Sequence, residues 1–397
     1  MLRLVRFTCL TILVCSSACR AELPAPTLTA NQPPTQSNTA TQVAQPATPQ
    51  VTPTSLPASP TPGISSSTPS PDASPPSSGN SSVISAANAG SLTPAARLKF
   101  SPWDQVLALA WSPDGNILAA SAGENLHILE VPDLAERMLI ELQVNAPGLA
   151  FSPEGEFLAS GDRNGSLRTW RVETGELLLE IQAHQKPMSS AMYSPDGRIL
   201  ASAGYDAVAR LWDSSNGEKL NEMIGGTFAI PAIAFTPDGA SIAIVNGEVI
   251  RLRDVATTRF VRTIVGEAPF FSIAFSPDGR LLASGDVANT ICLWDMSGKI
   301  SPATEVRESL QMLIGHSGRT GRPEALVWQV AFSPDGNLLA SAGGDATVRV
   351  WQVDSGELLT TLRGHTAAVT SVGFSPDGRW LSSGGLDGSV ILWSAAP

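Results

Sequence analysis

Three stretches of the chain place a histidine, a serine, an aspartate and a tryptophan within a few dozen residues of one another. They are His184, Ser202, Asp206 and Trp212; His316, Ser341, Asp345 and Trp351; and His365, Ser383, Asp387 and Trp393. Serine, histidine and aspartate together are the residue types of a hydrolase triad, in which the imidazole takes the hydroxyl proton and the carboxylate orients the ring. The set occurs three times, whereas a catalytic centre is normally built once per domain. No G-x-S-x-G elbow surrounds any of these serines. Asp114, Asp196, Asp238, Asp278, Asp335 and Asp377 suggest a row of calcium ligands, but each lies in the same turn-forming context. The four histidines, His127, His184, His316 and His365, have no partners at zinc-site spacing. No glycine-rich phosphate loop appears. These residues call for no catalysis, metal or cofactor.

The elements that carry them repeat. A Ser/Thr-Pro-acid-Gly turn follows an aromatic residue seven times, with prolines at Pro113, Pro153, Pro195, Pro237, Pro277, Pro334 and Pro376. The intervals are 40, 42, 42, 40, 57 and 42 residues. Serine at the first position, proline at the second and glycine at the fourth suit a type I turn between two strands. Strand a, such as Val369 to Phe374, precedes the turn. Strand b, such as Trp380 to Gly384, follows it, then c (Val390 to Trp393) and d (Glu357 to Arg363). A strand-rich period near 40 to 45 residues predicts an all-β propeller. The last unit ends after a strand c, and a lone strand-like piece, residues 96–100, precedes the first strand a. The expected fold is therefore seven four-stranded antiparallel blades, with residues 96–100 completing the last blade and removing an open edge.

Gly315-His316 and Gly364-His365 precede strand a, and Trp212-Asp213 and Trp294-Asp295 end strand c. With the seven phased turns, these dipeptides resemble the WD-repeat β-propeller family over about 300 residues. The resemblance implies that each His, Ser, Asp and Trp set is a structural hydrogen-bond network inside a blade. Other blades depart from it. Asn164 and Ala288 stand in place of the acid, and Leu129 and Arg253 in place of tryptophan, where the b–c turn is also one residue shorter.

Outside the repeats, residues 1–19 read as an export signal. Arg3 and Arg6 form a basic start, Phe7 to Val14 an apolar run too short to span a bilayer, and small residues precede Cys19. This resembles a bacterial lipoprotein signal with Cys19 as the lipidated residue, although Ser16 stands where leucine is usual; ordinary secretion is the alternative. Residues 20–95 are rich in Pro, Ser and Thr with three charged residues, and read as a disordered tether. Such a chain reaches about 50 Å. Cys292 is left alone beyond the signal, so no internal disulfide is expected.

The formal charge of −11 disfavours nucleic-acid binding, which needs a basic face. The 57-residue interval holds two insertions, one in a c–d connection and one in a d–a loop (residues 317–324) that carries Arg319 and Arg322. Arginine and aromatics are enriched in binding hot spots. A partner contact is expected at Arg319, Arg322, Trp328, Phe271 and Tyr205; the alternative is that Trp328 and Phe271 merely pack between blades. The expected function is a non-catalytic protein-interaction scaffold, monomeric on its own and held to a membrane only by lipid. The alternatives are an enzyme or small-ligand binder using the central channel, or a sensory domain.

Overall fold

The computed structural model describes residues 82–101, 103–298, 305–318 and 326–395. The signal, Cys19 and most of the tether lie outside them, as do Arg319 and Arg322. Apart from one 3-10 turn at Ala89–Ser91, the regular elements among the described residues are all strands. They form seven antiparallel blades in a ring, numbered here by their turns, with a innermost in each.

The Ser-Pro-Asp-Gly turn forms as its composition demands. In blade 1 the Gly115 N–H donates to the Ser112 carbonyl (2.9 Å), closing a four-residue turn, and glycine takes φ 73°. The turns also touch one another around the ring. A β-carbon on Gly155 would lie 3.1 Å from Cδ of Pro113 in the preceding blade, and the same pairing recurs at every blade. It closes where Gly115 of blade 1 meets Pro376 of blade 7, at 3.6 Å. The motif thus serves twice, as a hairpin turn and as the contact between neighbouring turns.

The core is divided in the same way. Its buried clusters each span two consecutive blades rather than one common centre. Leu126, Ile128 and Ile140 of blade 1, for instance, pack with Leu158 and Trp170 of blade 2. Each sheet is therefore apolar on both faces near the axis, and strand b is buried along most of its length.

In the last blade the sheet order places Thr93–Lys99 outside Ser389–Ser394, antiparallel, with Arg97 opposite Ile391 and Leu98 opposite Val390. Two differences from expectation follow. Residues ahead of 96 also pack on the ring: Ile84, Ala89 and Leu92 are buried against blades 6 and 7, because this short apolar group has a surface to cover. Blade 4 is not four-stranded. The two-residue strand Glu305–Val306, from the c–d insertion of blade 5, adds in parallel to the outer strand Phe260–Val265 of blade 4, with Thr263 opposite Glu305.

Candidate functional site

The three His, Ser, Asp and Trp sets are each brought together between strands b and c. Nε2 of His184 lies 2.8 Å from Oγ of Ser202, and Nδ1 lies 2.9 Å from Asp206. The corresponding distances are 2.8 and 3.0 Å for His316, Ser341 and Asp345, and 2.9 and 3.0 Å for His365, Ser383 and Asp387. This is the connectivity of a catalytic triad, but the indole prevents that use. Nε1 of Trp212, Trp351 and Trp393 donates to the same serine oxygen at 2.9, 2.9 and 2.8 Å. With Nδ1–H given to the carboxylate, Nε2 accepts the serine proton, so the hydroxyl both donates and accepts. All three serines are fully buried and closed off from solvent.

Burial disfavours the charged form of Asp345 and Asp387. Yet the hydrogen bond from the neighbouring histidine, with the N–H groups of Ser317 or Thr366, holds both carboxyls well below the usual range. Burial lowers the His184 pKa against the opposing pull of Asp206, which keeps that ring neutral near pH 7.

The Ser–Trp half of the set is more widespread than the whole. Trp170 donates to Ser160 in blade 2 and Trp294 to Ser284 in blade 5, at 2.9 and 2.8 Å. In blades 1 and 4 both ends are replaced together. Leu129 and Arg253 take the tryptophan position, while Ala120 and Ile244 take that of serine. Their b–c connections are two-residue turns, closed by Ala122 opposite Asn125 and Asn246 opposite Val249. Arg253 instead stacks 4.1 Å over the Phe260 ring.

Blades 2 and 5 hold residues that sequence reasoning missed. Their acid is not lost but moved two positions earlier, to Asp162 and Asp286. Oδ1 of Asp162 accepts the N–H groups of Asn164 and Ser166 at 2.8 and 2.9 Å; Oδ1 of Asp286 accepts those of Ala288 and Thr290, both at 2.8 Å. Asp162 then pairs with Arg168 at 2.5 Å. Blade 5 has Cys292 at the position of Arg168, and among the described residues no cation faces Asp286. Burial pushes the Asp286 carboxyl above its usual range, against the two backbone N–H groups. Burial and the Asp286 charge raise the Cys292 thiol to about 11, so it is unreactive near neutrality. Acids two residues ahead of Asn164 and Ala288 were the available signal.

The turn acids are occupied by the turns. Asp114 accepts from Ser112 Oγ at 2.6 Å and from the Asn116 N–H at 3.1 Å, and the other five turn aspartates likewise accept from their Ser or Thr hydroxyl. Hydrogen bonding from that hydroxyl lowers the carboxyl pKa at Asp114 and Asp196. Among the described residues, no group of three or more His, Cys, Asp and Glu could hold a metal ion.

Of the expected partner-contact residues, the structure brings two together. Phe271 and Trp328 are the second residues of strand a in blades 5 (Phe270–Phe275) and 6 (Val327–Phe332), each at a register shift, and meet edge to face with ring centroids 5.2 Å apart. Both are half-buried. Nε1 of Trp328 is buried without a hydrogen-bond partner among the described residues. Tyr205 is exposed on the b–c turn of blade 3, with blade 4 between it and that pair.

Comparison with known proteins decides the family. The model for the WD domain, G-beta repeat matches residues 97–128, 147–171, 175–213, 258–295, 307–352 and 356–394, more than half of the chain. The chain belongs to this family. The matches pass over 214–257, which holds most of blade 4, a blade that like blade 1 lacks serine, tryptophan and histidine at the network positions. The chain is 29% identical over 282 residues to the WD40 repeat-containing protein HOS15 of Arabidopsis thaliana, covering 70% of this chain and 44% of that protein. It is 40% identical over 91 residues to the nuclear distribution protein PAC1 of Gibberella zeae, covering 22% and 18%. It is 29% identical over 101 residues to the F-box/WD repeat-containing protein sel-10 of Caenorhabditis elegans, covering 25% and 15%. The chain spans less than half the length of each of these relatives.

Proposed function

We propose that this protein is a non-catalytic scaffold whose propeller binds other proteins. One observation carries the reading: the residues able to do chemistry are buried and hydrogen-bonded to one another, so what the molecule offers outward is surface. WD-repeat membership supports it, and the chain resembles relatives named for nuclear distribution and for an F-box module. The face around Phe271 and Trp328 is the first candidate contact. It begins where the inserted loop with Arg319 and Arg322 rejoins the ring, and two cations on an acidic protein would favour an acidic partner surface.

The scaffold is further proposed to act outside the cytoplasm, tethered through Cys19. The support is the amino-acid sequence of residues 1–19 alone. Affinity capture of the tagged full chain from its own cells, followed by mass spectrometry, tests the scaffold. The expected result is a reproducible partner that is lost with Arg319→Glu plus Arg322→Glu. Capture that returns no protein, together with turnover in a substrate screen, would reject it. Labelling with a lipid precursor, with and without Cys19→Ser, tests the anchor.

A further inference from the structure

Outer strands are where a propeller exposes sheet edge, and the usual protection is charge. In six blades the pair that joins the middle of strand c to strand d includes an arginine or a histidine. The pairs are His127 with Leu139, Arg168 with Glu180, Arg210 with Glu222, Arg251 with Thr263, Arg349 with Thr361, and Ile391 with Arg97. Two of them are ion pairs, at 2.8 and 3.2 Å. In blade 5 the pair is Cys292 with Met312.

The rest of that strand, Gln311–Ile314, follows suit. Leu313 points inward and is buried in the cluster shared with blade 6. Leu310, Met312 and Ile314 alternate on the other side, 65, 51 and 73% exposed. Among the described residues the strand pairs only with strand c, and none of them covers its outer edge. The matching edge of blade 4 is occupied: Glu305–Val306 lies along it in parallel. This fold therefore already accepts a fifth strand on an outer edge, one blade away and a few residues earlier in the chain.

We propose that the outer edge of blade 5 docks an extended segment of a partner protein. The segment adds as a fifth strand beside Gln311–Ile314 and sets its alternate apolar side chains against Leu310, Met312 and Ile314. This names one surface of the scaffold proposed above and rests on that reading. Main-chain bonds give such docking its affinity, and alternate side chains give it selectivity. An uncharged strand suits an apolar segment, and the nearby Arg307 is already paired with Glu305 at 2.7 Å. A second copy of the chain fits less well. A four-residue strand on a convex rim offers far less than the ~1,200 Å² that stable protein interfaces bury.

The test uses the full chain and fluorescent peptides of about nine residues, strand-length, with Val and Leu alternating with Ser and Thr. The control peptides have the same composition in a helical order. The alternating peptides are expected to bind and the controls to bind at least about tenfold more weakly. Met312→Lys plus Ile314→Lys should weaken binding by about tenfold or more while leaving the melting midpoint unchanged, and Met312→Leu should preserve it. No binding of the alternating peptides, or binding indifferent to the two lysines, would overturn the proposal. So would sedimentation showing that the lysines dissolve a dimer, which would assign the stripe to a second copy. Peptide failure with protein capture intact removes the edge alone; failure of capture removes the scaffold reading as well.

Discussion

Blades 5 and 6 stand side by side, have the same strands, and keep the same Trp-to-Ser hydrogen bond at 2.8 and 2.9 Å. They differ in what braces the b–c turn behind it. Blade 6 uses His316, which reaches from outside the sheet to bridge Ser341 and Asp345. Blade 5 uses Asp286, which caps the turn's own N–H groups. The two devices exclude each other. Asp286 occupies the position of Gly343 in blade 6, where a β-carbon would collide with Nδ1 of His316. At the equivalent Gly385 of blade 7 the β-carbon would lie 2.8 Å from Nδ1 of His365. At the b–c turns of blades 5, 6 and 7 one space thus holds either an imidazole or a carboxylate. The choice decides whether the blade is tied to the preceding loop or only to itself.

The most disruptive test of that exclusion is Gly343→Asp. It forces a carboxylate against both His316 and Asp345, and should destabilise by roughly 3 kcal/mol or more through crowding and an unpaired buried charge. Adding His316→Ala should recover part of the loss, giving a non-additive cycle in urea melts. Additive effects would mean that the two side chains do not compete for one space.

A smaller difference is expected at the serines. Ser341→Ala strands two buried groups, the Trp351 indole N–H and Nε2 of His316. Ser284→Ala strands one, the Trp294 indole N–H. Each unsatisfied group costs about 1–3 kcal/mol, so the blade 6 variant should lose about twice as much as the blade 5 variant in urea midpoint at constant slope. Equal losses would show that the histidine contributes nothing to the bracing.

The sequence carried the ring and most of the networks for a physical reason. Turn chemistry is local, so Pro113 and its six counterparts count the blades. The Ser–Trp bond links residues ten apart on paired strands, as with Ser160 and Trp170. What it hid was substitution by position. Asn164 and Ala288 look like lost acids because the repeat is read column by column, whereas the turn can take its carboxylate from either of two columns. The fifth strand of blade 4 was equally hidden, since two residues, Glu305 and Val306, show no period and pair with a strand of another blade. The exposed stripe of blade 5 emerges only when strand c and strand d are read as pairs, because Cys292 and Met312 are unremarkable one at a time.

The smallest and most diagnostic expectation concerns pH. The fold raises the Asp286 pKa, chiefly by burial, so the folded protein holds that proton more tightly than the unfolded chain does. Its favourable contribution is complete below the ordinary carboxyl pKa of about 4 and is lost as pH rises through the folded value. Asp345 is the reverse. Burial opposes its charge but the His316 contact outweighs it, so its contribution is complete above about pH 4 and lost as pH falls toward the lowered value. Asp286→Asn should therefore raise the melting midpoint at pH 7 and change it little at pH 3. Asp345→Asn should lower the midpoint at pH 7, with the gap to wild type narrowing in acid. The aspartate-to-asparagine change would then have opposite signs in adjacent blades. A loss at pH 7 from both would mean that Asp286, like Asp162 beside Arg168, has found a cation.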